Sequence, residues 1–244
     1  MKEKSNIIAA MIILAAAVLM SVHLGAAFAK QAAGEFQEKV GFLKQSVAQN
    51  QQRLRQYEWI ETTRITLNGD AKPTMVNMCS YGPDGTVQKV PMGESLPQEQ
   101  AGLRGRLNEK IVQKKTAEMQ QYMQQVKDVI ALYVPPNPQR IQDAFQGGNV
   151  SGDSAAGSGL ALMVVNNYAQ PGDQMTLSFD TAEKKIRQLT VQTYVNDPKD
   201  PVTLAVLFAS LPDGTNYTLQ NILDAPAKKI QVRTINSDYQ KLGP

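Results

Sequence analysis

Period-two alternation of apolar and polar residues, interrupted at short intervals by turn-forming residues, is the feature that most constrains this chain. Met175, Leu177 and Phe179 alternate with Thr176, Ser178 and Asp180, while Val202, Leu204, Val206 and Phe208 alternate with Thr203, Ala205 and Leu207. Leu189 and Val191 share one face of the run from Lys185 to Tyr194. Successive side chains of a strand point to opposite faces of a sheet, so each run reads as a strand with one face to bury. Thr181 to Lys184, Asn196 to Pro201, Pro212-Asp213-Gly214 and Ala225-Pro226 separate them with residues that favour turns. Tyr217 to Leu223 and Lys229 to Asn236 continue the series, and no fixed repeat period points to a solenoid or propeller.

The same alternation occurs upstream. Tyr57, Trp59, Thr63, Ile65 and Leu67 occupy one face of a run in which Glu58, Thr62, Arg64 and Thr66 occupy the other. Asn68-Gly69-Asp70 then predicts a hairpin turn, because Asn and Gly tolerate positive φ. Thr74 to Tyr81 reads as the return strand, Gly82-Pro83-Asp84-Gly85 as a second turn and Thr86 to Val90 as a third strand. Before this meander, Phe36, Val40, Leu43, Val47 and Leu54 recur at helical spacing, predicting a helix over about Gly34 to Gln56. After a polar stretch from Pro91 to Gly105, Leu107, Ile111, Met119, Met123, Val126 and Ile130 mark a second long helix. Val134-Pro135-Pro136-Asn137-Pro138 stops it, and a short amphipathic turn follows at Arg140 to Gln146. Gly147 to Gly159, rich in glycine, serine and alanine, reads as a flexible linker. About nine strands and two long amphipathic helices in this order predict a single α+β domain over residues 30–244, its helices packed on one curved antiparallel sheet.

Residues 1–29 read as a signal peptide: Lys2 and Lys4 precede an apolar run from Ile7 to Leu24, and Ala27-Phe28-Ala29 supplies the small residues a signal peptidase needs. The expected location is periplasmic or secreted after cleavage; the alternative is an inner-membrane protein anchored by the uncleaved segment, which is long enough to span a bilayer. His23, the one histidine, lies inside that segment. The remainder therefore lacks imidazole, and a serine nucleophile would need a lysine base, for which no Ser-x-x-Lys occurs. Gly152-Asp153-Ser154-Ala155-Ala156 only approximates a nucleophile elbow, and Asp197 and Asp200 lack the dense oxygen spacing of a calcium loop. No enzyme, metal or cofactor is expected. The formal charge of +3, with both signs scattered, excludes the concentrated basic face that nucleic acid requires. Cys79 stands alone and reads as a buried small apolar residue.

The stretch Leu54-Arg55-Gln56-Tyr57-Glu58-Trp59-Ile60-Glu61-Thr62-Thr63, and the closing stretch from Met175-Thr176-Leu177-Ser178-Phe179-Asp180-Thr181 through Leu211-Pro212-Asp213-Gly214 to Val232, resemble the LolA/LolB-like bacterial lipoprotein-carrier superfamily, in uncharacterised envelope members rather than the carrier itself. The resemblance implies an incomplete antiparallel β-barrel wrapped over helices around an apolar cavity. Seven methionines downstream of the leader, with flexible thioethers, suit a wall that accepts varied acyl shapes. The residues expected to line the cavity are Trp59, Ile65, Met78, Met119, Met123, Leu177, Phe179 and Phe208. The expected function is a non-catalytic periplasmic binding protein that holds a lipid or the acyl chains of a lipoprotein in lipid trafficking or envelope sensing, with transient membrane contact. The alternative is a structural or interaction module of the envelope with a protein partner and no cavity.

Overall fold

The computed structural model describes residues 41, 48–93, 105–154, 159–183 and 185–243, except for the side chains of 105–113, 115, 153 and 154. The chain divides into two compact units, Met1–Gln45 and Ser46–Pro244. In the first only Gly41 is described, in helical geometry; every element below belongs to the second. The expected signal peptide and most of the expected first helix lie outside the described residues, the described part of that helix being Gly41 and residues 48–54. No helix among the described residues is long and apolar enough to cross a membrane.

The strands are β1 (Tyr57–Leu67), β2 (Asp70–Ala71), β3 (Met75–Tyr81), β4 (Val87–Pro91), β5 (Val150–Ser154), β6 (Leu160–Asn166), β7 (Gln174–Asp180), β8 (Lys185–Tyr194), β9 (Pro201–Ser210), β10 (Asn216–Ala225) and β11 (Ile230–Lys241). They form one antiparallel sheet of eleven strands in the order β4-β3-β1-β11-β10-β9-β8-β7-β6-β5, with β2 paired to the end of β1. Among the described residues β4 and β5 do not pair with each other, so the sheet is open. Its inner face is set by the alternation already visible in the sequence. Val165, Met175, Leu177 and Val191 are 0% exposed there, and burying each stabilises the fold by about 1.5–3 kcal/mol.

Two helices follow β4. α1 (Gly105–Ile130) has no interior glycine or proline, and it seats Tyr122 and Val126 in a cluster with Val195, Val202, Ala225 and Ile230. α2 (Pro138–Gln146) begins where Asn137 accepts a hydrogen bond at Oδ1 from the Gln139 amide at 2.9 Å, with Pro138 supplying the φ of a first helical residue. It buries Ile141 and Ala144 and packs against β5 and β6. Between the helices, Tyr133 donates from its hydroxyl to the buried Asp173, which also accepts from the amides of Tyr168, Ala169 and Gln170. That carboxylate ties the end of α1 to the β6–β7 connection. At the other end of the sheet, Asn50 in the helical residues 48–54 exchanges two hydrogen bonds with the backbone of Asn216, at 2.6 and 2.7 Å.

Two expectations need correction. The sheet has eleven strands rather than about nine, because β2 is only a two-residue bridge and because β5 was hidden. The stretch from Gly147 to Gly159 contains β5, paired with β6 from Val150↔Val165 to Ser154↔Ala161. Gly152 lies there with its missing Cβ 3.3 Å from the Leu162 carbonyl, so the strand is held by its backbone and shows little apolar pattern. The second of the two long helices expected is α1, most of the first lies outside the described residues, and the short amphipathic turn expected at Arg140 to Gln146 is α2.

Candidate functional site

α1 does not fully cover what it packs against. Met119, Met123 and Ile130 on the helix, and Leu67, Leu223 and Val232 on the sheet, rest against the Tyr122–Val126 cluster but remain only partly buried. Ile65 stands opposite Val232 in the β1–β11 register and Leu223 stands opposite Val232 in the β10–β11 register, so these residues extend across three neighbouring strands. Together they form a partly buried apolar strip where the helix flank meets the inner face. Two of the residues expected to line a cavity, Met119 and Met123, lie here, and Ile65 stands beside them in register with Val232.

A cavity of about 420 Å³ opens at the same helix. Met119 and Tyr122 form its apolar side; Glu118, Asn196, Asp200 and Lys228 form a polar rim together with Gln121 and Gln125. The Tyr122 hydroxyl donates to Asp200 Oδ1 at 2.9 Å, and Lys228 Nζ lies 5.4 Å from the centre of the Tyr122 ring. Burial, and then the Asp200 carboxylate, push the Tyr122 phenol well above its ordinary pKa, so it stays a neutral donor. Met119 borders both the cavity and the partly buried apolar strip, so the two adjoin at that residue. Sequence reasoning passed over Tyr122, although it sits three residues after Met119 and four before Val126 on the same helical stripe. Asp197 and Asp200 are separately engaged, Asp197 accepting from the Lys199 amide at 2.7 Å.

The other five expected residues are elsewhere. Trp59 is 7% exposed at the far end of β1, stacked on Tyr239 with ring centres 5.5 Å apart and 5.4 Å from Tyr81. Leu177 is 0% exposed and stands between Met163 and Leu189 as packed core. Phe208 is half-buried four residues along β9 from Leu204, about 13 Å at strand spacing. Phe179 is half-buried opposite Ala161 and Ile186, among the strands near the β5 edge.

Met78 points to the opposite face. A plain hairpin at Asn68-Gly69 pairs Leu67 with Asp70, and extending that register would place Met78 opposite Trp59. Pro73 has no N–H to continue the ladder, and the chain re-pairs one residue out of step, with Thr63 opposite Met75 and Trp59 opposite Cys79. A one-residue slip exchanges faces, so Cys79 takes the inner position at 0% exposure and Met78 takes the outer one. Burial pushes the Cys79 thiol up from its ordinary pKa. Among the described residues no group of three or more His, Cys, Asp or Glu side chains is arranged to hold a metal ion.

No protein-family profile matches the chain, and no curated protein matches it. A crystal structure of a DUF1329 family protein from Desulfovibrio piger ATCC 29098 is similar over 84% of this chain and 92% of that one, with a TM-score of 0.40 and 7% identity. A likeness of that degree carries no argument about function.

Proposed function

We propose that the chain is a non-catalytic binding protein of the cell envelope that holds an acyl chain, of a lipid or a lipoprotein, in a groove between α1 and the inner face of the sheet. The observation that carries the reading is the unfinished packing there. Met119, Met123, Leu67, Leu223 and Val232 are apolar, adjacent and only partly buried, while Val126 and Ile230 a turn or a residue pair away are 0% and 3% exposed. Apolar surface left open beside a polar-rimmed cavity of about 420 Å³ fits a ligand with a greasy tail and a hydrogen-bonding head, within the usual ~300–1,000 Å³ of ligand pockets. The methionines supply deformable walls. The N-terminal pattern, with its apolar run and Ala27-Phe28-Ala29, supports a periplasmic or secreted location, and the resemblance to lipoprotein carriers supports the same ligand class.

The test is titration of the purified protein with a fluorescent fatty acid, alongside native mass spectrometry of protein isolated from cell envelopes. Uptake in the groove is expected, and Leu223→Asp should weaken it about tenfold or more, because a carboxylate in an apolar wall must be desolvated by the tail. Empty protein and no uptake would leave the structural-module reading. That reading rests on the solid packing under the central strands, where Leu189 and Val206 are 1% and 2% exposed.

A further inference from the structure

The face of the sheet turned away from α1 varies in character from strand to strand. On β7 and β8 it carries Thr176, Ser178, Gln188, Thr190 and Gln192, the residues that alternate with the buried Met175, Leu177, Leu189 and Val191. From β10 to β4 it carries Ile222, Ile235, Ile60, Met78, Val90 and Met92 among polar residues such as Gln220, Gln231, Thr62 and Gln88. Val90 is 63% exposed, Met92 46% and Met78 38%. Met78 stands between Ile60 and Val90 in register, so these three form an apolar row running to the β4 edge of the sheet, with Met92 just beyond it.

Beside that row, Arg64 stands directly opposite Arg233 on the neighbouring strand, both exposed. Arg233 donates to Gln220 Oε1 at 2.9 Å, and among the described residues neither guanidinium has a carboxylate partner. The nearest acid in register on this face, Asp224, stands opposite Gln231 and accepts from its amide at 3.3 and 3.4 Å. Like charges directly opposite in a sheet repel, so the pair is relieved when an anion sits between the two. Guanidinium forks match the oxygens of a phosphate.

We infer that this part of the outer face docks on an anionic phospholipid surface, with Arg64 and Arg233 taking headgroup phosphates and Met78, Val90 and Met92 entering the interface beside them. Further strand addition at β4 is a poorer fit, because Lys89 and Pro91 blunt that edge against a new strand. A free phosphate would use the arginines but leave the apolar row without an occupant. The docking face and the α1 groove lie on opposite sides of the sheet, so the two readings fail separately.

Co-sedimentation of the full chain with vesicles tests this. Binding is expected to vesicles of phosphatidylglycerol and phosphatidylcholine in equal parts, to fall as salt is raised, and to be much weaker with phosphatidylcholine alone. The double variant Arg64→Gln, Arg233→Gln should lose about thirtyfold in affinity, as expected for two basic side chains at a lipid surface. Val90→Ser with Met92→Ser should weaken binding without altering the thermal midpoint, since both positions are exposed. Equal binding by the arginine variant, including binding carried by the N-terminal apolar run alone, overturns the proposal. So does binding of inorganic phosphate with no vesicle association, and so does a dimer by light scattering that Val90→Ser dissociates.

Discussion

Asp173 is 2% exposed, and it remains in the interior because three backbone amides and the Tyr133 hydroxyl point at its two oxygens. Asp173→Asn keeps the shape but turns an amide NH2 toward those donors, and a destabilisation of about 3 kcal/mol is expected in urea unfolding, with the midpoint shifted and the slope unchanged. Asp213 is the contrasting case at the surface. The Thr215 amide and then the Tyr57 hydroxyl, 2.7 Å from Oδ2, hold its carboxyl down at about 2. A depressed folded-state pKa means that the contribution is present above the ordinary carboxylate range and lost as pH falls through about 2. Because Asp213 is exposed, that contribution is screened and stays under about 1 kcal/mol. Thermal midpoints measured between pH 5 and pH 2 should therefore fall slightly less steeply in Asp213→Asn than in the parent chain. Neither network was legible from composition, since a buried aspartate and an exposed one are the same letter. Cys79 was legible as a buried thiol, because a lone cysteine within an alternating strand has few other places to go.

At the scale of elements, α1 combines a packed stripe with a loose one. Val126→Ala should cost about 2 kcal/mol, whereas Met119→Ala and Met123→Ala, at half-open positions, should each cost less than about 1 kcal/mol. Chemical denaturation of the three variants checks the ranking; equal losses would mean that the groove is closed in solution. The long helix and most strands could be read ahead because their periods, 3.6 and 2, are strong over many residues. β5 could not, since Val150, Ser151 and Gly152 offer almost no alternation and its pairing with β6 is made by main chain. The face of Met78 was illegible for a different reason. It depends on a one-residue slip at Pro73 that reverses β3 relative to the register the Asn68-Gly69 turn implies. Of the eight expected lining residues, Met119 and Met123 lie against the α1 cluster and Ile65 stands beside it in register, while the rest serve as core, aromatic cluster or outer surface.

For the molecule as a whole, each neighbouring pair of strands from β5 to β11 is adjacent in sequence, and so are β3 with β4; the join between these two sets is β1 with β11. Thr63 and Thr234 share a hydrogen bond across this join while lying 171 residues apart in the chain. Non-local pairing of that kind closes a long loop before it gains any contact, so it should be among the last events in folding. Ending the chain after Lys229 removes β11. The expected outcome is loss of protection from hydrogen exchange throughout β1 and β3, with the hairpins from β5 to β9 retaining more of theirs. The meander order was visible from turn residues between successive strands, but nothing local marks β1 as the partner of the final strand.

That seam also sets when the polypeptide becomes finished. Synthesis runs from the amino end at roughly 5–20 residues per second, so β1 emerges many seconds before the strand that secures it. Throughout that interval β1 has only β2 and β3 to pair with, and one of its edges stays open.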